Sequence, residues 1–132
     1  MKLFLLALLL MMFPVAGKCQ FVGLSKFDIK KQLAEKGTVL RDTIISERKA
    51  AACVIDDYGT LQFFFDSENK CSGFLIFPDS AKNANTIIAH LNEHMISEQS
   101  GVWKSFQNGL LIEHKLYYVD NGGVIITVKH VQ

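Results

Sequence analysis

The pentapeptide His-Leu-Asn-Glu-His at residues 90–94 is the part of the chain that most resembles a catalytic site. It matches the pattern His-x-x-Glu-His, in which two histidines four residues apart on a helix bind Zn²⁺ and the glutamate acts as general base. In this hypothesis His90 and His94 are metal ligands and Glu93 is the base of a small zinc-dependent hydrolase. A catalytic zinc also needs a third protein ligand, for which the candidates are Glu98, Glu113 and His114. The alternative is three surface residues on the polar flank of a helix with no cofactor, since so short a pattern arises readily by chance.

The sequence has no second catalytic motif among its other candidate nucleophiles or its candidate ligand-binding loops. The sequence has no Gly-x-Ser-x-Gly elbow for a serine nucleophile and no glycine-rich phosphate loop. Cys53 and Cys71 fall in predicted strands on an apolar face, where a thiol is usually an inert core residue. The acidic stretch at residues 66–70 lacks the glycine and terminal glutamate of a calcium-binding loop. The sequence therefore favours a non-catalytic protein over an enzyme.

The first seventeen residues have the layout of a secretory signal peptide. Lys2 gives a short basic start, residues 3–13 are an unbroken apolar run, and Val15 and Gly17 are small residues at the −3 and −1 positions of a cleavage site. Cleavage is predicted between Gly17 and Lys18, or one step later after Cys19. The other interpretation, an uncleaved anchor, needs roughly 20 apolar residues to span a bilayer. We therefore expect residues 1–17 to be removed and the protein to be secreted or periplasmic.

Charge limits the kinds of partner. The whole chain has 14 Lys and Arg against 13 Asp and Glu, and removal of residues 1–17 takes away Lys2 alone, so that 13 bases face 13 acids. Nucleic acid and anionic membranes bind clustered lysine and arginine, so a neutral chain argues against both. No segment after the signal is apolar over a length that spans a membrane. The expected partner is a protein or a small ligand, including a second copy of the chain as a homodimer.

Two helices are predicted from apolar spacing and capping residues. Ser25 is a natural N-cap for the first helix, Ile29 and Leu33 share one of its faces, and Gly37 is placed to end it. The second helix begins near Asp79 or Ser80. Its apolar stripe is Ala84, Ile87, Ile88, Leu91 and Met95.

Strand-like runs follow each helix and are separated by turn residues. The first set is residues 51–56, 60–66 and 71–77, and the second is residues 102–107, 110–119 and 124–131. Residues 43–46 could add a short edge strand. Asn108-Gly109 and Asn121-Gly122 predict tight hairpins, and the first pairs Lys104 with Glu113. The predicted fold of residues 18–132 is a single α+β domain of two α-β-β-β units, with a mostly antiparallel sheet and two helices packed on one face.

The register of the first hairpins decides which residues share a sheet face. A three-residue loop at 57–59 places Cys53 opposite Phe63, and Cys71 lies beside Phe65. One face then collects Ala51, Cys53, Ile55, Leu61, Phe63, Phe65, Cys71, Leu75 and Phe77. Cys53 and Cys71 are separated by a whole strand, about 10 Å, whereas a disulfide needs Cα atoms within about 7 Å. Both thiols are therefore predicted to stay unbridged in an oxidising compartment.

The start of the first helix carries a resemblance to a known group. Gly23-Leu24-Ser25 followed by Ile29, Leu33 and Gly37, ahead of a strand meander, resembles the helix opening of small exported proteins related to beta-lactamase inhibitors and outer-membrane-assembly lipoproteins. The resemblance covers about fifteen residues, and the lipobox of such lipoproteins is missing here. It implies an exported binding module.

Apolar residues occupy both predicted faces of the second meander. One face carries Trp103, Leu110, Ile112, Leu116, Tyr118 and Ile125, and the other carries Phe106, Leu111, Tyr117, Val119, Val124, Ile126 and Val128. A sheet with one solvated face should alternate apolar and polar residues more cleanly. The second face is therefore covered by the N-terminal segment or by a partner. We predict an exported binding or inhibitory module that acts through its sheet, with Trp103 and Tyr118 as the binding residues.

Overall fold

The computed structural model describes residues 21–56, 58–107, 109–120 and 123–131. The predicted signal peptide, its cleavage site and Cys19 lie outside the described residues. The predicted turn at Asn121-Gly122 lies outside them as well. None of the helices in the described part of the chain has the length and apolarity needed to cross a membrane.

Both predicted helices are present, with the predicted caps and buried residues. Helix α1 runs over Lys26–Glu35, and the side chain of Ser25 accepts a hydrogen bond of 3.1 Å from the backbone N–H of Asp28. Helix α2 runs over Ala81–His94, and Ser80 caps it in the same way with the N–H of Asn83. The buried positions are Ile29 and Leu33 on α1, and Ala84, Ile87 and Leu91 on α2. A cap and an apolar stripe of helical period together define these elements.

Eight strands in the described residues form one antiparallel sheet, which confirms the α+β class. The strands are β1 Arg41–Ile45, β2 Arg48–Ile55, β3 Gly59–Phe65, β4 Cys71–Pro78, β5 Ile96–Gln99, β6 Val102–Gln107, β7 Leu110–Tyr118 and β8 Val124–Val131. Each helix is thus followed by four strands instead of the predicted three. The order across the sheet is β1-β2-β3-β4-β8-β7-β6-β5, which pairs β4 with β8 in the centre and leaves β1 and β5 at the edges.

The first hairpin is shifted by two residues from the predicted register. Cys53 pairs with Leu61 and not with Phe63, which lies opposite Ala51. A shift of two residues keeps every side chain on its predicted face, because side chains alternate with a period of two. Gly59 opens β3 at a φ of 149°, and a Cβ there would lie 2.1 Å from the backbone oxygen of Phe77. This close approach requires glycine at the start of the strand.

In β4 and β8, apolar side chains that were predicted to face away from the core are the ones that face it. A β-bulge between Phe64 and Phe65 shifts the pairing of β3 with β4, so Phe74 and Ile76 are buried and Leu75 and Phe77 are only partly buried. In β8, Tyr118 pairs with Val124 and Leu116 with Ile126, which puts Ile126 and Val128 on the face of Ile112. The predicted grouping of Ile125 with Trp103 is therefore wrong. The register of β6 with β7, which pairs Lys104 with Glu113, is confirmed.

Two rows of paired residues define the two faces of the sheet. The core face carries Phe63, Phe74, Val128, His114 and Trp103, each opposite the next on five neighbouring strands. The second face carries the row beside it, which is Phe64, Gly73, Lys129, Glu113 and Lys104. All five core-face residues are at most 3% exposed.

An aromatic cluster on the core face joins the N-terminal segment to the sheet. The ring of Phe21 meets the rings of Phe63 and Phe74 edge-on, at centroid distances of 5.2 and 5.6 Å. Phe63 and Phe74 lie 5.2 Å apart. Edge-to-face geometry at these distances adds to the stabilisation from burial alone. One prediction from the sequence is that the segment before α1 covers the other face of the sheet. Phe21 belongs to this segment and packs on the core face instead.

Candidate functional site

The three residues of the zinc-hydrolase hypothesis lie on the last turns of α2. The rings of His90 and His94 lie next to each other at a centroid distance of 4.4 Å and a tilt of 46°, since residues four apart on a helix are neighbours. His90 is half-buried, whereas Glu93 and His94 are exposed. Burial lowers the pKa of His90, the neighbouring His94 lowers it further, and Glu93 opposes both. Both imidazoles are thus close to each other, with His90 favoured in its neutral form.

One of the proposed third ligands, His114, lies on the core face of β7. It is 1% exposed, and burial lowers its pKa to about 4, with a further contribution from His90. The other candidates face elsewhere: Glu98 forms an ion pair of 2.8 Å with Lys104, and Glu113 lies on the second face. Across residues 21–56, 58–107, 109–120 and 123–131, no three His, Cys, Asp or Glu side chains are grouped so that they could hold a metal ion.

The two predicted binding residues have very different surroundings. Trp103 is 3% exposed, and its indole N–H donates a hydrogen bond of 2.7 Å to the side-chain oxygen of Asn92 on α2. This tryptophan therefore joins β6 to α2 and offers no surface to a partner. Tyr118 is 80% exposed at the rim of the core face. It borders a cleft of about 270 Å³ between the start of α2 and the β7–β8 end, with Ser80 and Val124 in its lining.

The two described cysteines are buried, unbridged thiols, as the strand separation predicted. Burial raises the pKa of Cys53 to about 12, and it does the same for Cys71. A thiol with so high a pKa is almost entirely protonated at neutral pH, and the protonated form is neither a nucleophile nor a metal ligand. These side chains are packing residues of the core.

We expect Cys53 and Cys71 to resist a thiol reagent in the folded protein and to react fully after unfolding without reductant. Peptide mapping by mass spectrometry after labelling in denaturant, with and without prior labelling in native buffer, measures this for each cysteine separately. A disulfide between Cys53 and Cys71 would contradict the sheet order, because β3 lies between their strands.

The second face combines exposed apolar side chains with charges. Val54, Phe106 and Tyr117 are 69%, 77% and 43% exposed. Side chains alternate between the two faces of a sheet. Phe106 is two residues from Lys104, Tyr117 is four from Glu113, and Val54 is four from Ala50, which pairs with Phe64. All three therefore lie on the second face. The sequence predicts Phe106 and Tyr117 on the face of the second meander opposite Trp103 and Ile112, and this is confirmed.

Cations on the same face were missed by the sequence prediction. Lys104, Lys115 and Lys129 alternate with apolar residues on three different strands, so nothing in the linear sequence groups them. Their register brings them together. The ammonium of Lys115 lies 5.2 Å from the ring centre of Tyr117, and the guanidinium of Arg48 lies 5.0 Å from that of Phe64. Such contacts hold a cation over an aromatic face.

A hollow of about 490 Å³ lies near one edge of the second face. Val39, Arg41, Thr43, Ala52 and Val54 are among its lining residues, which come from β1, β2 and the segment before β1. Val39 is 62% exposed, so the apolar part of this hollow is open to solvent. The hollow is only partly apolar, with both Arg41 and Asp42 in its lining, and it is large enough to receive a side chain of a partner.

Comparisons of the chain with known protein families, with curated proteins and with solved structures gave no match. The geometry of the site and the pattern of the sequence are therefore the basis for assigning a function.

Proposed function

We propose that the chain is an exported, non-catalytic binding or inhibitory module that engages its partner through the second face of the sheet. The observation that carries this proposal is the exposure of Val54, Phe106 and Tyr117 on one sheet face. The three are spread over the face: Phe106 pairs with Leu111, six residues along β7 from Tyr117, and Val54 lies on β2 toward the other side of the sheet. Large exposed apolar residues gathered on one face of a soluble protein are a feature of contact surfaces. The signal-peptide pattern of residues 1–17 supports the exported part of the proposal.

The proposal places both helices on the core face, so that the second face is left for a partner. Two sets of contacts support this placement. Helix α2 receives the hydrogen bond from Trp103 through Asn92, and Trp103 belongs to the core-face row. Helix α1 follows directly after Phe21, whose ring packs against Phe63 and Phe74 of the same row.

A capture experiment with matched phenylalanine variants tests the proposal. Phe106 on the second face and Phe27 on α1 are both large, exposed apolar residues, at 77% and 74% exposure. The wild-type mature chain, Phe106→Ser and Phe27→Ser are immobilised, and each is exposed to the exported proteins of the source cell. Quantitative mass spectrometry then compares what each retains. We expect a partner that binds the wild type and Phe27→Ser but is lost with Phe106→Ser.

Two other results of this experiment have definite meanings. Equal retention by all three chains contradicts a role for the second face. If the wild type itself forms dimers by light scattering and Phe106→Ser is monomeric, the partner is a second copy of the chain. Tyr118 stays a predicted contact residue, but it lies at the rim of the core face, and Tyr118→Ser in the same capture series measures whether the partner also reaches that rim.

The histidines supply a separate prediction that bears on the hydrolase hypothesis. We expect purified protein to hold no stoichiometric zinc at neutral pH, and His90→Gln with His94→Gln to lower the free energy of unfolding by less than about 1 kcal/mol, since both side chains are at least partly exposed. Metal analysis and urea unfolding measure the two quantities. One zinc per chain in the wild type that is absent from the double variant would instead support the hydrolase.

A further inference from the structure

The charges of the second face are strongly unbalanced. Among the described residues, the cations on this face are Arg41, Arg48, Lys104, Lys115 and Lys129, and the anions on it or at its edge are Glu98 and Glu113. Five positive charges thus face two negative ones, and a third acid, Asp42, lines the hollow at the edge of the face and pairs with Lys26 of α1. The whole chain has a formal net charge of only +1, so the sheet separates the signs to a degree that composition does not show.

Each of the two anions lies next to a cation on this face, and the remaining cations have no acidic partner there in the described part of the chain. Lys104 forms the 2.8 Å ion pair with Glu98, and the hydrogen bond from this pair together with Glu113 raises the pKa of Lys104. Lys129 lies directly opposite Glu113. Arg41, Arg48 and Lys115 have no acidic partner among the described residues, because the ion pairs there join other side chains. These three cations are available to an incoming anion.

The size of the face fits a protein partner. Eight strands at about 4.8 Å spacing are roughly 34 Å wide, and six residues of strand extend roughly 20 Å, which gives a face of about 700 Å². A stable protein interface buries about 800 Å² on each partner. Aromatic residues and arginine are enriched in such interfaces, and Arg48 over Phe64 provides this combination.

The arrangement suits carboxylates better than a phosphate polymer or a lipid surface. A nucleic acid presents a continuous line of negative charge with no apolar groups between the charges, and Glu113 on β7 and Glu98 on the edge strand β5 would repel it. The exposed Phe106 and Val54 instead need apolar groups between the partner's charges. Protein surfaces offer such a mixture of carboxylates and apolar side chains.

Resting on the function proposed above, we infer that the partner presents an acidic protein surface, with carboxylates that meet Arg41, Arg48 and Lys115 and an apolar side chain that enters the hollow between Val39 and Val54. Complementary charge of this kind accelerates association and selects among partners of similar shape.

Charge-reversal variants with a matched control test the acidic partner. Arg41→Glu with Lys115→Glu changes the second face, and Lys31→Glu with Lys82→Glu changes exposed positions on the two helices. Both pairs alter the net charge by the same amount. The probe is a fluorescent copolymer of glutamate and tyrosine, which mixes carboxylates with apolar groups, titrated into the folded mature chain at low salt, with heparin and phosphatidylglycerol vesicles as comparison ligands. Circular dichroism establishes that each variant is folded.

We expect the sheet pair to weaken binding of the glutamate-tyrosine copolymer about tenfold or more, and the helix pair to change it by less than about twofold. Equal weakening by both pairs, no binding by the wild type, or tighter binding of heparin or vesicles than of the copolymer would overturn the inference. If one of these occurs while the captured partner still depends on Phe106, only the acidic chemistry is wrong. If capture of the partner is also unaffected by Phe106→Ser, the proposed function itself is wrong.

Discussion

Replacing Phe63 by alanine is expected to lower the free energy of unfolding by about 3–5 kcal/mol, the cost of deleting a fully buried aromatic ring. Phe63 is 0% exposed and contacts the rings of Phe21 and Phe74, each at a centroid distance of 5.2 Å. Urea unfolding followed by far-ultraviolet circular dichroism measures the change. A small chain with limited total stability would lose a large fraction of it.

The neighbouring residue provides the control for this prediction. Phe64 is the same amino acid on the same strand, but it lies on the second face, is partly exposed and contacts the guanidinium of Arg48. Phe64→Ala is expected to cost about 1 kcal/mol, because less apolar area leaves water at this position. Equal losses for the two variants would mean that the second face is covered in the folded chain and is not a free surface for a partner.

The helices could be predicted from the sequence because their signals are local. Ser25 and Ser80 are capping residues, and the apolar residues that follow each repeat with the period of one helical face. A cap and its apolar stripe lie within fifteen residues of each other and do not depend on the rest of the fold. Both features therefore identify the helix before any tertiary contact is known.

The faces of the strands could not be predicted in the same way. A single extra residue in a strand or loop reverses the face of every residue that follows, and the sequence around Phe64 and Phe65 carries no signal of the bulge between them. For β8, the pairing of Tyr118 with Val124 has the same effect on Ile126 and Val128. Strand β5 was missed because it is a short, fully exposed edge strand with no alternating pattern.

These errors in the assignment of strand faces explain which parts of the candidate site could be predicted from the sequence. The presence of apolar residues on both faces, and the need for a partner or a cover, followed from composition along each strand. The choice of Trp103 as a contact residue depended on which face was covered, and α2 covers Trp103 through Asn92. The grouping of Arg48, Lys115 and Lys129 depends on pairings between strands that are far apart in sequence.

The free energy of unfolding is expected to fall as the pH is lowered from 7 to 5, mainly because of His114. In the unfolded chain a histidine binds a proton near pH 6.5, whereas burial keeps the pKa of His114 at about 4 in the folded chain. Below pH 6.5 the unfolded state therefore takes up a proton that the folded state does not. The folded state loses about 2 kcal/mol by pH 5 and about 3 kcal/mol by pH 4 relative to pH 7.

Charged and titratable groups around His114 add to this effect or leave it unchanged. His90 on α2 faces His114 and has a lowered pKa of its own, so it also makes the folded state less stable in acid, and His94 beside it contributes by repelling a proton on His90. Glu93 opposes the shift of His90. The neighbours of His114 across the strands, Trp103 and Val128, carry no charge near neutral pH.

Two histidine variants separate this mechanism from general acid sensitivity. His114→Leu removes the buried imidazole and should flatten most of the dependence between pH 7 and 5, whatever its effect on stability at pH 7. His130→Gln removes an exposed imidazole on the adjacent strand β8 and should leave the dependence as in the wild type. Urea unfolding at pH 7, 6 and 5 gives the slope for each chain. An unchanged slope in His114→Leu would show that His114 is protonated as readily in the folded chain as in the unfolded one, and that α2 does not seal the core face around it.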